Sequence, residues 1–354
     1  MDKTSNIKHN TLPKVKISVG VITYNQESTI RQTLDSILAQ KGDFDLELVI
    51  GEDCSTDNTH AICEEYVSKS NIKHQTSNIV LLPNQKNLGI MANFARVMQA
   101  CTGDYVGICA GDDYWCDEYK LQKQLDYFHS HPDVGVVSTS GYKLLVKSNT
   151  LVPNAIAPFE PIEDGDIKKF YFSPDYKGGV YAMPLSLLIK RDLLQYIDFD
   201  EFIRRSFPVE DYPMQAILAQ HCKWGHINDL CVVYRVYKES ATFISFDYPK
   251  YLQYYKGLAN IRRYLNELFP NDACFSEAWL QEYEFYKEFL LYLHRMEYKK
   301  AKELVRKASS LPSLQGGAGG RLKQAKRFTK TRLHFMAAHL IKEYQYRKDL
   351  IERI

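Results

Sequence analysis

This chain of 354 residues lacks several patterns that mark common protein classes. No stretch approaches the roughly 18 consecutive apolar residues of a membrane span, and the polar start MDKTSNIKHNTLPK has no signal-peptide core. The eight cysteines include no CxxC pair, so their pattern is typical of reduced structural thiols rather than of a disulfide framework or a zinc site. These absences predict a cytoplasmic protein.

Motifs of several enzyme classes are absent as well. There is no HExxH zinc motif and no GxSxG nucleophile elbow, and no GxGxxG follows the first strand-like run. These gaps argue against a zinc protease, an α/β-hydrolase and a dinucleotide-dependent dehydrogenase. The glycine-rich stretch at 310–320 lacks the lysine and Ser/Thr of a phosphate-binding loop, so we interpret it as a hinge.

The charge is balanced overall but concentrated at one end. The chain has 45 Lys and Arg residues against 43 Asp and Glu, which predicts no nucleic-acid partner. Residues 321–354 hold ten basic residues against three acidic ones, and apolar residues recur there on one helical stripe. A basic amphipathic helix can lie on an anionic membrane surface, here the inner face of the plasma membrane, or pack on protein; both interpretations stay open.

The first 140 residues alternate between strand and helix periodicity. Apolar residues at helical spacing separate β-branched runs of strand length at 16–24, 46–50, 78–82, 104–109 and 134–140. Such alternation with short links predicts βαβ units: an α/β fold with a mainly parallel twisted sheet and helices on both faces. Beyond about residue 247 the pattern is helical, which predicts a helical C-terminal region.

Polar segments follow four of the predicted strands. They are TYNQE at 23–27, GEDCSTD at 51–57, PNQKNLG at 83–89 and AGDDYW at 110–115. Ligands of parallel sheets bind outside the carboxyl ends of the strands. We therefore expect these four loops to form one rim.

Three groups of carboxylates could carry chemistry there. Asp112 and Asp113 either cap a polar turn or hold a divalent cation against a diphosphate, because hard cations prefer carboxylate oxygens. Asp53 either lies solvated beside a helix cap or accepts an N–H from a base edge. Glu210 and Asp211 either suit the dipole at a helix start or supply a general base.

The ordered set of motifs resembles the family 2 glycosyltransferases over about residues 15–240. The segments that carry the resemblance are VGVITYNQESTIRQTLDSILAQ, GEDCSTDNT, NLGIMANFARVMQACTGDYVGICAGDDYW, VEDYPM and VYRVYKES. The family implies a Rossmann-like glycosyltransferase A-type fold and inverting transfer from a nucleotide-sugar. It also implies a catalytic domain over 1–245 with a nucleotide-binding half at about 15–140 and an acceptor half at about 141–245. Beyond this domain the residue pattern predicts a helical extension over 246–309, the hinge at 310–320 and the basic helix at 321–354.

The resemblance also implies roles for single residues. The nucleotide-sugar would contact Tyr24 and Glu27 beside the base, Asp53 at the base edge, Asn87, Gly89 and Asn93 around the nucleotide and sugar, Asp112 near the ribose or sugar, and Arg235 near the diphosphate. Asp113, with Asp112, would bind Mn²⁺ or Mg²⁺. Asp211 would be the catalytic base, with Glu210 beside it.

Two departures from the family pattern concern the metal. Ala110 stands where the family often has a further Asp, and Tyr237 stands where it often has His. Both leave the second protein ligand of the metal open.

The implied function is transfer of one hexosyl or N-acetylhexosaminyl unit. The donor would be a nucleotide-diphosphate sugar, with a UDP-sugar favoured. The acceptor would be a hydroxyl of a glycan or lipid-linked glycan in bacterial surface polysaccharide assembly. Two alternatives remain: a non-catalytic sugar-nucleotide-binding or scaffold protein, and a nucleotidyltransferase on a similar sheet. The latter needs a basic, glycine-rich triphosphate loop after the first strand, and TYNQE is not one.

Overall fold

The computed structural model of the protein describes residues 14–72, 77–154, 182–237, 248–294 and 297–308. The strands in these ranges are β1 Val15–Thr23, β2 Phe44–Glu52, β3 Ser77–Leu81, β4 Tyr105–Ala110, β5 Tyr114–Trp115, β6 Val134–Leu145, β7 Thr150–Asn154, β8 Leu188–Lys190 and β9 Lys223–Val236. The helices are α1 Ile30–Leu38, α2 Thr59–Ile72, α3 Ile90–Ala100, α4 Lys120–Ser130, α5 Phe199–Arg204, α6 Asp211–His221, α7 Tyr248–Leu268, α8 Glu277–His294 and α9 Tyr298–Ala308.

All nine strands of the described residues join one sheet, and its two halves differ in direction. The first half runs in the order β3-β2-β1-β4, and every pairing in it is parallel. The second half is mixed, because β8 lies antiparallel between β4 and β6 while β9 pairs parallel with β6. Strand β5 closes the order against β9, and β7 forms a hairpin with β6.

Helices cover both faces of the sheet, as the alternation of periods predicts. On one face Leu34 of α1 and Leu125 of α4 pack in a buried cluster with β1. On the other face Phe94 of α3, Ile217 of α6 and Leu265 of α7 share a second cluster. Helix α7 therefore shares a core with α3 and α6, although it lies in the extension predicted over 246–309.

The sequence pattern matches the elements well in the first half and less well in the second. Helix α3 spans Ile90–Ala100, where apolar residues recur at helical spacing, and β6 begins where the run at 134–140 does but continues to Leu145. The segment SLLIKRD at 186–192 has a strand-like apolar run, but it contains a strand of only three residues, with 3₁₀ turns before and after it. The hinge and basic helix predicted at 310–320 and 321–354 lie outside the described residues.

None of the described helices is both long and apolar enough to cross a bilayer.

Candidate active site

The carboxyl ends of the parallel strands meet at one rim, as expected from the polar segments that follow them. The backbone N–H of Asp53, just after β2, donates to the carbonyl of Thr23 at the end of β1 (3.0 Å). The N–H of Gly111, just after β4, donates to the carbonyl of Ile22 (2.9 Å). The loops that carry the predicted site residues are thus joined where their strands end.

Side chains lock the first two loops together. The N–H of Asn25 donates to Ser55 Oγ (2.9 Å), and Glu27 Oε2 accepts from both the N–H and the side-chain amide of Asn58 (2.9 Å each). Tyr24 projects from this crosslinked pair of loops with 45% of its surface exposed. Glu27 therefore holds the rim in shape, and the ring of Tyr24 is available at its edge.

The Asp53 carboxylate organises the third loop. It is 2% exposed and accepts hydrogen bonds from the Asn84 side chain (2.9 Å), the N–H of Leu88 (2.8 Å) and the N–H of Gly89 (2.9 Å). Asn87 donates back to the Asp53 carbonyl (2.9 Å). Gly89 adopts φ +82°, a left-handed conformation that favours glycine. Of the three hydrogen bonds to the Asp53 carboxylate, Oδ1 accepts two and Oδ2 accepts one. A contact between Asp53 and the edge of a base stays a prediction.

Asn93 lies beneath the rim rather than on it. Its side chain is 3% exposed and donates to the carbonyl of Gly51 (2.7 Å), while its Oδ1 accepts from Arg96 Nε (2.8 Å). The same guanidinium donates to the carbonyls of Glu52 (2.8 Å) and Pro83 (2.9 Å). Arg96 was not among the predicted site residues; a cation three residues after Asn93 in an apolar helix is the signal that could have found it. Together the two side chains hold the end of β2 against the loop that follows β3.

The acidic pair after β4 is tied to β9. Asp113 is 3% exposed, and its Oδ1 accepts from the backbone N–H of Arg235 (2.7 Å). The Arg235 guanidinium donates to the carbonyl of Asp112 and to Gln32 Oε1, and it lies 4.8 Å from the centre of the Tyr114 ring. Arg235 thus holds the loop that carries both carboxylates, and its contact with a diphosphate stays a prediction.

Helix α1 supports the same loop from the opposite side. The hydroxyl of Thr29 donates to the carbonyl of Gly111 (2.9 Å). The hydroxyl of Thr33 reaches the carbonyls of Gly111 (3.0 Å) and Asp113 (2.6 Å). These two threonines were not predicted, because a β-branched residue on a helix gives no sign in the sequence that it serves a distant loop. They fix the backbone beneath the acidic pair.

The acidic pair fits a divalent cation that shares its ligands with phosphate. Burial raises the pKa of Asp112, and burial together with the neighbouring Asp112 charge raises the pKa of Asp113 well above its usual range. Two close carboxylates supply the hard-oxygen ligands that Mg²⁺ or Mn²⁺ uses alongside phosphate. Within the described residues no group of three or more His, Cys, Asp or Glu side chains is placed to hold a metal.

A second acidic group lies where α6 begins. Burial raises the pKa of Asp211 to about 6 and also raises the pKa of Glu210. The Asp211 carboxylate accepts from the N–H of Tyr212 (2.6 Å). A carboxylate with a pKa near neutrality can accept a proton and still be ionised at the pH of the cell. A raised pKa is compatible with a general base, and this role of Asp211 stays a prediction.

Comparison with known proteins places part of the chain in one sequence family. The model of glycosyl transferase family 2 matches residues 18–183. An uncharacterised protein of Mycobacterium tuberculosis H37Rv is 42% identical over 120 residues, which are 34% of this chain and 33% of that protein. Abequosyltransferase RfbV of Salmonella typhimurium is 26% identical over 280 residues, 75% of this chain and 81% of its own length. The crystal structure of Staphylococcus aureus TarS residues 1–349 with UDP-GlcNAc superposes with a TM-score of 0.47 at 18% identity, covering 73% of each chain. The chain thus spans about a third of the length of the mycobacterial relative.

Proposed function

We propose that this chain, residues 18–183 of which match the model of glycosyl transferase family 2, transfers one sugar from a nucleotide-diphosphate sugar to an acceptor hydroxyl with inversion of configuration. The observation that carries this proposal is the presence of two separate acidic groups with different environments. Asp112 and Asp113 form a pair suited to a cation and phosphate, whereas Asp211 is a half-buried carboxylate whose pKa is about 6. An inverting transferase needs both, one for the leaving group and one for the nucleophile.

In this mechanism the chain's own residues bind, orient and deprotonate. The loop that Asp53 organises and the exposed ring of Tyr24 would receive the nucleotide. Asp112 and Asp113 would hold the cation, which when bound stabilises the negative charge of the departing diphosphate. Asp211 would take the proton from the acceptor hydroxyl. The oxygen of that hydroxyl would attack the anomeric carbon from the side opposite the diphosphate, whose bond to this carbon breaks. The transition state is oxocarbenium-like, as in glycoside hydrolysis.

The donor is identified by a thermal-shift screen of nucleotide-sugars with and without Mn²⁺ or Mg²⁺. We expect a UDP-sugar carrying a hexose or N-acetylhexosamine to raise the melting temperature, and only when the cation is present. The stabilisation grows with occupancy, by about 2.7 kcal/mol at a ligand concentration of 100 times Kd. If no nucleotide-sugar stabilises the protein with either metal, the transferase assignment fails. A GDP- or dTDP-sugar as the stabilising donor would correct only the base.

The acceptor in this proposal is a glycan or lipid-linked glycan of a bacterial surface polysaccharide. The support is that RfbV, which the chain matches over most of both lengths, carries the name of a sugar transferase. The basic segment 321–354 would bring the enzyme to an anionic membrane surface that carries such acceptors.

A flotation experiment tests the membrane part of the proposal. The full chain should float with liposomes that contain anionic lipid, and a chain ending at residue 320 should stay at the bottom. Neutral liposomes are the control, because basic residues near an anionic surface contribute about 1 kcal/mol each and should contribute little at a neutral one. Equal flotation of both chains would remove 321–354 from the proposal and leave the catalytic assignment untouched.

A further inference from the structure

Helix α7 lies beyond the residues matched by the family model, yet it packs on the segment that leads into Asp211. Ile261 and Leu265 are buried in the core that Phe207 also joins. The ring of Tyr264 lies 5.6 Å from the ring of Phe207. The helix is therefore fixed against the short connection between α5 and α6.

The contacts between α7 and this connection run in antiparallel register. Near the C-terminal end of α7, Glu267 forms an ion pair with Arg205 (2.5 Å), and Asn260 donates to the carbonyl of Arg205 (3.2 Å). One turn earlier, Gly257 meets Pro208 so closely that a Cβ at position 257 would lie 2.6 Å from Pro208 Cγ. Only glycine permits this approach, so the helix is seated against the connection without a side chain between them.

One helical turn further towards the start of α7, the same register reaches the residue that lies opposite Asp211. Tyr254 is three residues before Gly257, and Asp211 is three residues after Pro208. Residues three apart lie on the same face of a helix, so Tyr254 continues the face that Gly257 presents. The half-buried Tyr254 phenol lies within electrostatic reach of the Asp211 and Glu210 carboxylates and of Tyr234 on β9.

We propose that Tyr254 is a positioning residue whose ring excludes water from the Asp211 carboxylate and forms the wall beside which the acceptor hydroxyl lies. This inference rests on the proposed transferase function and extends its active site into α7. Among the described residues, titratable groups near the two side chains include Glu210, Tyr212, Tyr234 and Tyr255, with Arg262 placed 5.2 Å from the Tyr212 ring. Arg262 faces the ring of Tyr212. The feature that we assign to the surroundings of the Asp211 carboxylate is therefore the aromatic ring of Tyr254.

The test compares Tyr254→Ala with Tyr254→Phe in the full chain. Alanine should admit water, so the acid limb of the kcat–pH profile should move from about 6 toward the ordinary Asp value of about 4. The acceptor KM should rise about tenfold, because an aromatic contact of roughly 1.4 kcal/mol is lost. The donor KM should not change. Phenylalanine keeps the ring and should keep both the limb and the acceptor KM.

Two further measurements keep the inference falsifiable. Leu268→Ala, an exposed change on the same helix, is the matched control and should behave as wild type. The carboxyl pKa of Asp211, read by carbon NMR in the wild type and in Tyr254→Ala, needs no turnover. A wild-type chain that transfers no sugar would refute the proposed function, whereas an Asp211 pKa that is equal in the two proteins would refute the role of Tyr254. If Tyr254→Ala does not fold, Gly257→Ala should shift the acid limb in the same direction by moving α7 away from Pro208, and an unmoved limb would overturn the proposal.

Discussion

Asp211→Asn is expected to lower the rate of sugar transfer by about 10³-fold and to leave nucleotide-sugar affinity unchanged. Asparagine has nearly the same shape and can still accept the hydrogen bond from Tyr212, but it cannot take a proton from the acceptor. In the proposed function the donor would lie against the strand ends and the acidic pair, so we expect its binding not to depend on Asp211. Single-turnover transfer and calorimetric titration of the donor measure the two quantities separately.

The direction in which kcat and stability change with pH follows from the raised pKa of Asp211. Asp211 acts without its proton, so wild-type kcat should rise with pH through about 6 and level off above it. Because burial raises the pKa of this carboxyl, the folded chain holds the proton more tightly than the unfolded chain. Stability is therefore lost as the pH rises from the ordinary Asp value of about 4 through the folded pKa of about 6, and above that pH the full cost of the ionised group is present. Asp211→Asn removes that cost, so at pH 8 the inactive variant should unfold at an equal or higher temperature.

Glu210→Gln provides the matched control. Glu210 precedes the helix, and its pKa is also raised by burial, so the substitution removes a similar charge one residue away. We expect Glu210→Gln to retain transfer within about tenfold. If Asp211→Asn turned over as well as wild type, or if Glu210→Gln carried the full loss, the base would be misassigned.

The sequence predicts the first half of the fold because the burial of apolar residues determines the sequence pattern there. Buried parallel strands and their covering helices must alternate two periods of apolar residues, and that alternation is visible over 16–140. The second half breaks this rule. Strand β8 contributes only three residues of the strand-like segment 186–192, and it runs antiparallel between β4 and β6. Long-range pairing determines the place and direction of such a strand, and no local pattern in the sequence indicates them.

For the site, too, the sequence indicates the types of residue that are present but not the contacts that they make. The sequence indicates which carboxylates collect at the rim, since acidic loops after parallel strands share one edge. It does not indicate that Asp53 binds the backbone of Leu88 and Gly89, or that the Arg235 guanidinium donates to the loop of Asp112. These bonds join positions 35 or more residues apart, so spacing along the chain carries no trace of them.

Asp113→Asn is the second change expected to have a large effect. Asp113 Oδ1 accepts from the N–H of Arg235 (2.7 Å), and the amide oxygen of asparagine can keep that bond. The substitution therefore removes charge from the acidic pair and leaves the loop in place. We expect transfer to fall by about 10²–10³-fold, the loss typical when one group that stabilises transition-state charge is removed. The Mn²⁺ concentration needed for half-maximal activity should rise in parallel.

The stability of the same variant separates loss of chemistry from loss of fold. Asp113 is 3% exposed and lies beside Asp112, so replacing one of the two carboxylates relieves repulsion in the metal-free protein. Asp113→Asn should thus melt at an equal or higher temperature than wild type without metal, and it should gain less from added Mn²⁺ and nucleotide. Asp117→Asn is the control, because Asp117 pairs with Lys123 (2.6 Å) at the end of the same loop and should leave the metal requirement unchanged. An Asp113→Asn enzyme with the wild-type metal requirement would show that Asp113 is not a ligand. The buried acidic pair would then be a structural feature of the turn, as the simpler interpretation of the sequence allows.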